Sequence, residues 1–213
     1  MTGMTSSEVV TPRRVGEVVE AASTDFTVQC YRLYDAPPLG ALVRAGGAGQ
    51  LPGAPGEAAV YGVVCRVSTE PLDPGRPVLA RGEGVATQEE LHRNNPQLAR
   101  LLTSRFQALI IGHREAGTDR PFLPPLPPQV HAFVHLCQPG EVAQCTARLD
   151  FLHLLLGPGL PAAADVVGAC LRGAALAHSD PEQFLLRAGR ALASELAQDL
   201  PRLNAILRRA APW

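Results

Sequence analysis

Val15-Gly16-Glu17-Val18-Val19-Glu20 and Tyr61-Gly62-Val63-Val64-Cys65-Arg66-Val67 are the stretches on which the fold turns. Each is a β-branched run with a glycine near its start. Branched side chains fit the pleated, half-buried surface of a strand. A glycine inside such a run marks a bulge, or a tight bend at the corner of a small barrel. Further strand-like segments surround these two. Residues 14–21, 25–33, 41–44, 58–68, 78–81, 106–113 and 130–136 all read as strands. In the second of them Phe26, Val28 and Cys30 alternate with Thr27, Gln29 and Tyr31. Asp73-Pro74-Gly75 supplies turn chemistry, and residues 46–57 form a Gly/Pro-rich connection.

Helical signals fall in two places. Thr87 with Glu90 fits a capping box, and Asn95 before Pro96 fits an N-cap followed by proline. Leu98, Leu101 and Leu102 follow at helical spacing, so residues 88–105 are expected as a helical insertion among the strands. From Pro139 the period becomes helical to the end. Val142, Cys145, Leu149, Leu152 and Leu156 predict one helix, stopped by Gly157-Pro158-Gly159. Val166, Cys170, Ala174 and Ala177 mark a second helix. Ser179-Asp180-Pro181-Glu182 opens a third, with Leu185, Ala188, Leu192 and Leu196 on its buried face. Pro201 opens a last one, ending near Arg208 and Arg209. Strands followed by a run of helices give an α+β class: a small antiparallel β-barrel, then an all-helical C-terminal part.

Composition narrows the chemistry. Net charge is −1, so the chain as a whole does not attract polyanions. All 19 basic residues are arginine. No Walker A lysine and no Schiff-base lysine exists in this sequence. Cys30, Cys65, Cys137, Cys145 and Cys170 are scattered in apolar flanks without a C-x-x-C, and read as buried thiols of a reducing cytosol. The first residues lack a basic n-region and an apolar core, so no signal peptide is expected, and residues 1–11 read as disordered. No apolar run approaches the ~20 residues of a membrane-spanning helix.

Candidate sites are few. His131, Phe133 and His135 would share one strand face, where two histidines can hold a metal, but no third ligand is evident. Gly46-Gly47-Ala48-Gly49 and Gly82-Glu83-Gly84 read as plain loops rather than phosphate cradles. Arg76, Arg81, Arg93, Arg100, Arg105 and Arg114 could line a basic groove, as in small barrels that bind single strands. Only 5% of residues are aromatic, and Glu83, Glu89 and Glu90 interleave with these arginines, which favours a solvated face. Cys145 and His153 are too far apart on one helix to touch, and Asp150 with His153 is ordinary helix-surface pairing. Trp213 is either a frayed end or a docking anchor. No residue is assigned a catalytic, cofactor-binding or metal-binding role, and no cofactor is expected.

The runs Val15-Gly16-Glu17-Val18-Val19 and Phe26-Thr27-Val28, then residues 61–68 and Pro77-Val78-Leu79-Ala80-Arg81-Gly82, resemble a HAS-barrel. This is the small barrel shared by HerA-type DNA-translocating ATPases and the N-terminal domains of rotary ATP synthase subunits. The proline-led segment 124–134 resembles its closing strand. The whole chain is similar to short bacterial proteins that carry the barrel alone. The resemblance implies a barrel over residues 12–137, and the helical periodicity beyond it assigns residues 138–213 to a helical subdomain. The family's ATPase residues map onto nothing here, since no Gly-x-x-x-x-Gly-Lys follows. What the resemblance leaves is subunit packing. The expectation is a non-catalytic cytoplasmic assembly or adaptor protein, associating with itself or with a HerA-like hexameric DNA-processing ring. A nucleic-acid-binding barrel in DNA repair or processing is the alternative. Ala108-Leu109-Ile110-Ile111 and residues 130–136 are expected as apolar strand edges open to pairing.

Overall fold

The computed structural model describes residues 13–46, 58–157, 160 and 162–211. Among these residues seven antiparallel strands form one sheet: β1 (Arg14–Ala21), β2 (Asp25–Cys30), β3 (Leu42–Ala45), β4 (Ala59–Pro71), β5 (Leu102–Glu115), β6 (Thr118–Arg120) and β7 (Phe133–Leu136). Pairing runs β2–β1–β7–β3–β4–β5, and β5 then pairs back to β2. The sheet is therefore a closed ring, with β6 added beside β5. The long β5 makes closure and extension compatible. Its residues 105–109 pair with β2, and its residues 113–115 pair with β6.

Two α-helices, α1 (Gln88–Asn94) and α2 (Leu98–Leu101), lie between β4 and β5. Five more follow the ring: α3 (Pro139–Cys145), α4 (Leu152–Leu155), α5 (Ala163–Ala175), α6 (Pro181–Glu195) and α7 (Leu200–Ala210).

The period of two along β4 and β5 explains their unbroken apolar character. Val60 and Val64 of β4 point into the ring, with Phe106, Ala108 and Ile110 of β5, Phe26 and Val28 of β2, and Val134 of β7. Tyr61 and Val63 of β4, Ile111 of β5 and Leu42 of β3 point the other way. There they join Phe151, Leu155, Val167, Cys170, Leu171, Phe184, Leu192 and Ile206 of the helical segment in a second apolar cluster. These strands are buried on both faces, so they lack the polar alternation of an open sheet. The helical segment shares its core with the outer face of the ring. Arg44 of β3 and Glu141 of α3 add an ion pair of 2.7 Å across the same junction.

The two strand glycines singled out from the sequence, Gly16 and Gly62, sit where a side chain has no room. The register of β1 shifts between Arg14 and Gly16, and that of β4 between Tyr61 and Gly62. A Cβ at Gly16 would lie 2.1 Å from the Gln29 carbonyl oxygen. One at Gly62 would lie 2.9 Å from Phe26 Cε1 and 3.0 Å from the Ala108 Cβ, inside the ring.

Several expectations are corrected. Residues 78–81 form no strand; Val78 and Leu79 are 59% and 67% exposed, and among the described residues no neighbouring strand offers them a ladder. The helical insertion ends at Leu101 rather than 105, because Leu102 already pairs with Pro71. Asn95 is the C-cap of α1 and not an N-cap; its backbone N–H donates to Leu91 and His92 carbonyls, and Gln97 precedes α2. Thr87 does cap α1, accepting from Glu90 N at 3.2 Å. The single helix expected over residues 142–156 is two, α3 and α4, parted by the residues after Thr146. Both pieces turn apolar residues to the same core, which is why their spacing imitates one helix. The apolar runs expected as open edges are interior. Residues 108–111 lie on β5 between β4 and its other partners, and β7 lies between β1 and β3. Ring closure removes those edges. Asp180 and Asp199 cap α6 and α7, accepting from Gln183 N at 2.9 Å and Arg202 N at 3.1 Å. Among the described residues no helix is long and apolar enough to cross a membrane. Residues 1–11, Gly47–Gly49 and Trp213 lie outside the described residues.

Candidate interaction groove

The segment that fails to become a strand builds the most distinctive surface of the molecule. After β4 the chain turns at Asp73-Pro74-Gly75, where the Asp73 carboxylate accepts from Gly75 N at 2.9 Å and its carbonyl accepts from Arg76 N at 3.0 Å. Leu72 N donates to the Leu101 carbonyl at 2.8 Å, which fixes this turn against α2. Between the two lies a groove of about 270 Å³. Leu72, Val78, Leu79 and Leu101 line it, with Leu98 buried beneath. Leu72 is 51% exposed. Arg76, Arg81 and Arg100 stand around these aliphatic side chains.

A second recess of about 310 Å³ adjoins the groove and shares Leu72, Arg100 and Leu102 with it. Gln29, Tyr31, Leu33 and Ser104 form its far side. Tyr31 and the nearby Tyr34 are exposed, and Tyr34 meets His92 edge to face at 5.9 Å.

The six arginines singled out from the sequence therefore divide. Arg76, Arg81 and Arg100 converge on the groove. Arg105 pairs with Glu70 at 3.2 Å on the adjacent strand. Arg114 holds both Asp119 oxygens, at 2.7 and 2.9 Å, and donates to Gln144 at 3.0 Å. Arg93 lies on the exposed side of α1. Of the interleaved acids, Glu90 accepts from Ala86 N at 3.3 Å, within its own helix cap.

The histidines expected on one strand face are not both on a strand. His131 precedes β7 in the left-handed region, at φ 68°, and its ring bonds Glu17 at 3.1 Å. Glu17 also accepts from the Tyr31 hydroxyl at 2.9 Å. These two bonds, His131 first, hold the Glu17 carboxyl below its ordinary range. His135 sits on β7, where burial, then Arg44 and Arg14, lower its pKa. Among the described residues no three His, Cys, Asp or Glu side chains are grouped to hold a metal. His153 bonds the Asp150 carbonyl instead of its carboxylate, which pairs with Arg148 at 2.8 Å.

The five cysteines are free. Burial pushes Cys30 up to about 11 and Cys170 up to about 12, and drives Cys137 and Cys145 well above the ordinary thiol range. These groups are thiols, not thiolate nucleophiles, near neutrality.

Sequence reasoning missed the β5–β6 hairpin. Its two-residue turn is Ala116-Gly117, with φ of 48° and 77°. Positive φ at both central positions is the turn suited to the strand twist, but alanine there is a weak signal beside Asn-Gly. No protein-family model matches the chain, and no curated protein is significantly similar to it.

Proposed function

We propose that the chain is a non-catalytic assembly protein that docks a protein partner through the groove between the 72–81 segment and α2. In this reading residues 12–137 are a small β-barrel of the HAS type. Residues 138–213 cap one outer face, where a HerA-type chain would continue into its ATPase. The barrels of a HerA-like ring and a second copy of this chain are the partners that the resemblance offers. The cytoplasm is the compartment this reading assigns.

One observation carries the reading: aliphatic side chains stand exposed along a groove, with Leu72, Val78 and Leu79 at 51%, 59% and 67%. Closing the ring left no strand edge for association at β5 or β7, so contact falls to side chains. Contiguous exposed apolar surface of this kind marks interaction sites. Affinity purification from cells that express the protein tests it. The wild type should retain a partner that Leu72→Asp/Leu79→Asp loses, while Leu186→Asp on α6 retains it. Equal retention by all three refutes the groove. Purified protein should hydrolyse no nucleoside triphosphate, and turnover abolished by a point substitution would refute the non-catalytic assignment.

A second reading, single-stranded nucleic acid, draws on Tyr31 and Arg100, which line the second recess, and on the exposed Tyr34. Stacking platforms with adjacent arginines bind single strands. The Tyr31 hydroxyl is engaged by Glu17 and Tyr34 is packed on His92, and neither residue lines the apolar groove beside α2.

A further inference from the structure

We infer that the groove is built for an acidic, aliphatic-rich protein segment, with carboxylates meeting Arg76, Arg81 and Arg100 and branched side chains meeting Leu72, Val78, Leu79 and Leu101. The inference rests on the docking role proposed above and names the chemistry of its partner.

Charge is the first argument. Among the described residues three guanidinium groups and one carboxylate, Asp73, line the groove. Asp73 stands 3.7 Å from Arg76, and both side chains are largely exposed, so water weakens that pairing. Arg81 and Arg100 have no ion-pair partner among the described residues. The groove therefore presents uncompensated positive charge on a chain whose net charge is −1. A guanidinium offers a planar fork that matches a carboxylate with two parallel hydrogen bonds.

The lining decides between anionic macromolecules. Phosphate backbones would also suit the arginines. Single strands, however, are held by bases stacked on aromatic planes. Among the described residues the groove lining contains no aromatic residue; it is leucine, valine, proline, arginine and aspartate. Aliphatic side chains of that kind are complementary to leucine-like residues of a peptide. Pro71 and Pro77 bracket the turn and fix backbone φ there, so the arginines are presented from a chain with reduced freedom.

The full chain is used as bait for a displayed library of random peptides of about 12 residues, roughly three helical turns. Enriched sequences are remade as labelled peptides and measured by fluorescence anisotropy. They are compared on the wild type, on Arg76→Ser/Arg81→Ser/Arg100→Ser and on Leu72→Ser/Leu79→Ser. A labelled thymine oligonucleotide is run beside them. All five side chains are exposed, so both variants keep the fold, checked by their melting curves. The expected result is enrichment of Asp and Glu with Leu, Ile or Val. Each variant should weaken these peptides by about tenfold or more, the scale of losing several rim pairs or anchors. Peptides without acidic bias, weakened by the leucine variant and untouched by the arginine variant, overturn the inference and leave docking intact. No peptide distinguishing wild type from the leucine variant, or an oligonucleotide that binds more tightly and displaces peptides, overturns both.

Discussion

Replacing Gly16 with alanine should damage this protein more than any other single methyl group added at a described strand glycine. The new Cβ would lie 2.1 Å from the Gln29 carbonyl oxygen and 2.9 Å from its carbon. Relief requires β2 to move away from β1. In an open sheet β2 could do so, but here it is also paired to β5 in register, Gln29 opposite Arg105 and Val28 opposite Phe106. On its other side Gly16 is opposite Val134 of β7. The clash is therefore with backbone held from both directions. Overpacking typically costs about 1–3 kcal/mol, and the upper end or more applies where no side chain can yield. For a chain of this size ~1 kcal/mol shifts Tm by roughly 2–4 °C, so a fall of about 6–12 °C is expected. Gly173 is the internal contrast. It is exposed on α5, and a Cβ there meets nothing within 4 Å. Alanine at that position removes backbone freedom from the unfolded chain and should add about 0.5–1 kcal/mol. Calorimetry and urea titration measure both, with the midpoint falling for Gly16→Ala and the slope unchanged. A Gly16→Ala protein melting within about 2 °C of wild type refutes the closed-ring constraint.

Acid should destabilise the fold through two histidines. Burial lowers His135 and His178 below their ordinary 6.5, with Arg44 and Arg14 adding to the first and Arg187 to the second. Both are neutral in either state at high pH; as pH falls below 6.5 the unfolded chain takes the proton first. Stability should thus be full above pH 7 and decline from there through the folded values, and His135→Gln/His178→Gln should flatten melting temperature against pH between 7.5 and 5. Glu17, lowered from 4.5, acts only below that window, and an unchanged slope in the double variant counts against this assignment. Phe151→Ala should cost about 3–5 kcal/mol, because the ring is fully buried in the cluster shared by strands and helices. Fluorescence-independent probes of strand and helix content should melt together in that variant, and separate transitions would contradict a shared core.

What could be read from the sequence was local. Gly16 and Gly62 declare themselves because a residue without a Cβ inside a branched run is hard to explain except by close approach, and the structure puts backbone and ring atoms there. Asp180 before Pro181 announced the start of α6 through its own side-chain chemistry. A small barrel was expected, but which strands close the ring was not legible, since closure depends on β2 meeting β5 some 80 residues away, with no local signature. Residues 78–81 have strand-like composition, but a strand needs a partner, and none among the described residues reaches them. The convergence of Arg76, Arg81 and Arg100 was only half visible. Their sequence proximity to Arg105 and Arg114 hid the difference between arginines neutralised across a ladder and arginines left facing a groove. Glu70 and Asp119 make that difference, and both lie on neighbouring strands.

The groove is tested most directly by a photoreactive residue placed at position 79 and irradiated in cells that express the protein. Leu79 is exposed at the centre of the proposed contact, and position 176 on the helical layer, 82% exposed, serves as the control. The account predicts a discrete crosslinked species from position 79 that protease removes and nuclease leaves intact, with no such species from position 176. A nuclease-sensitive adduct, or none at 79 while 176 captures a protein, contradicts it.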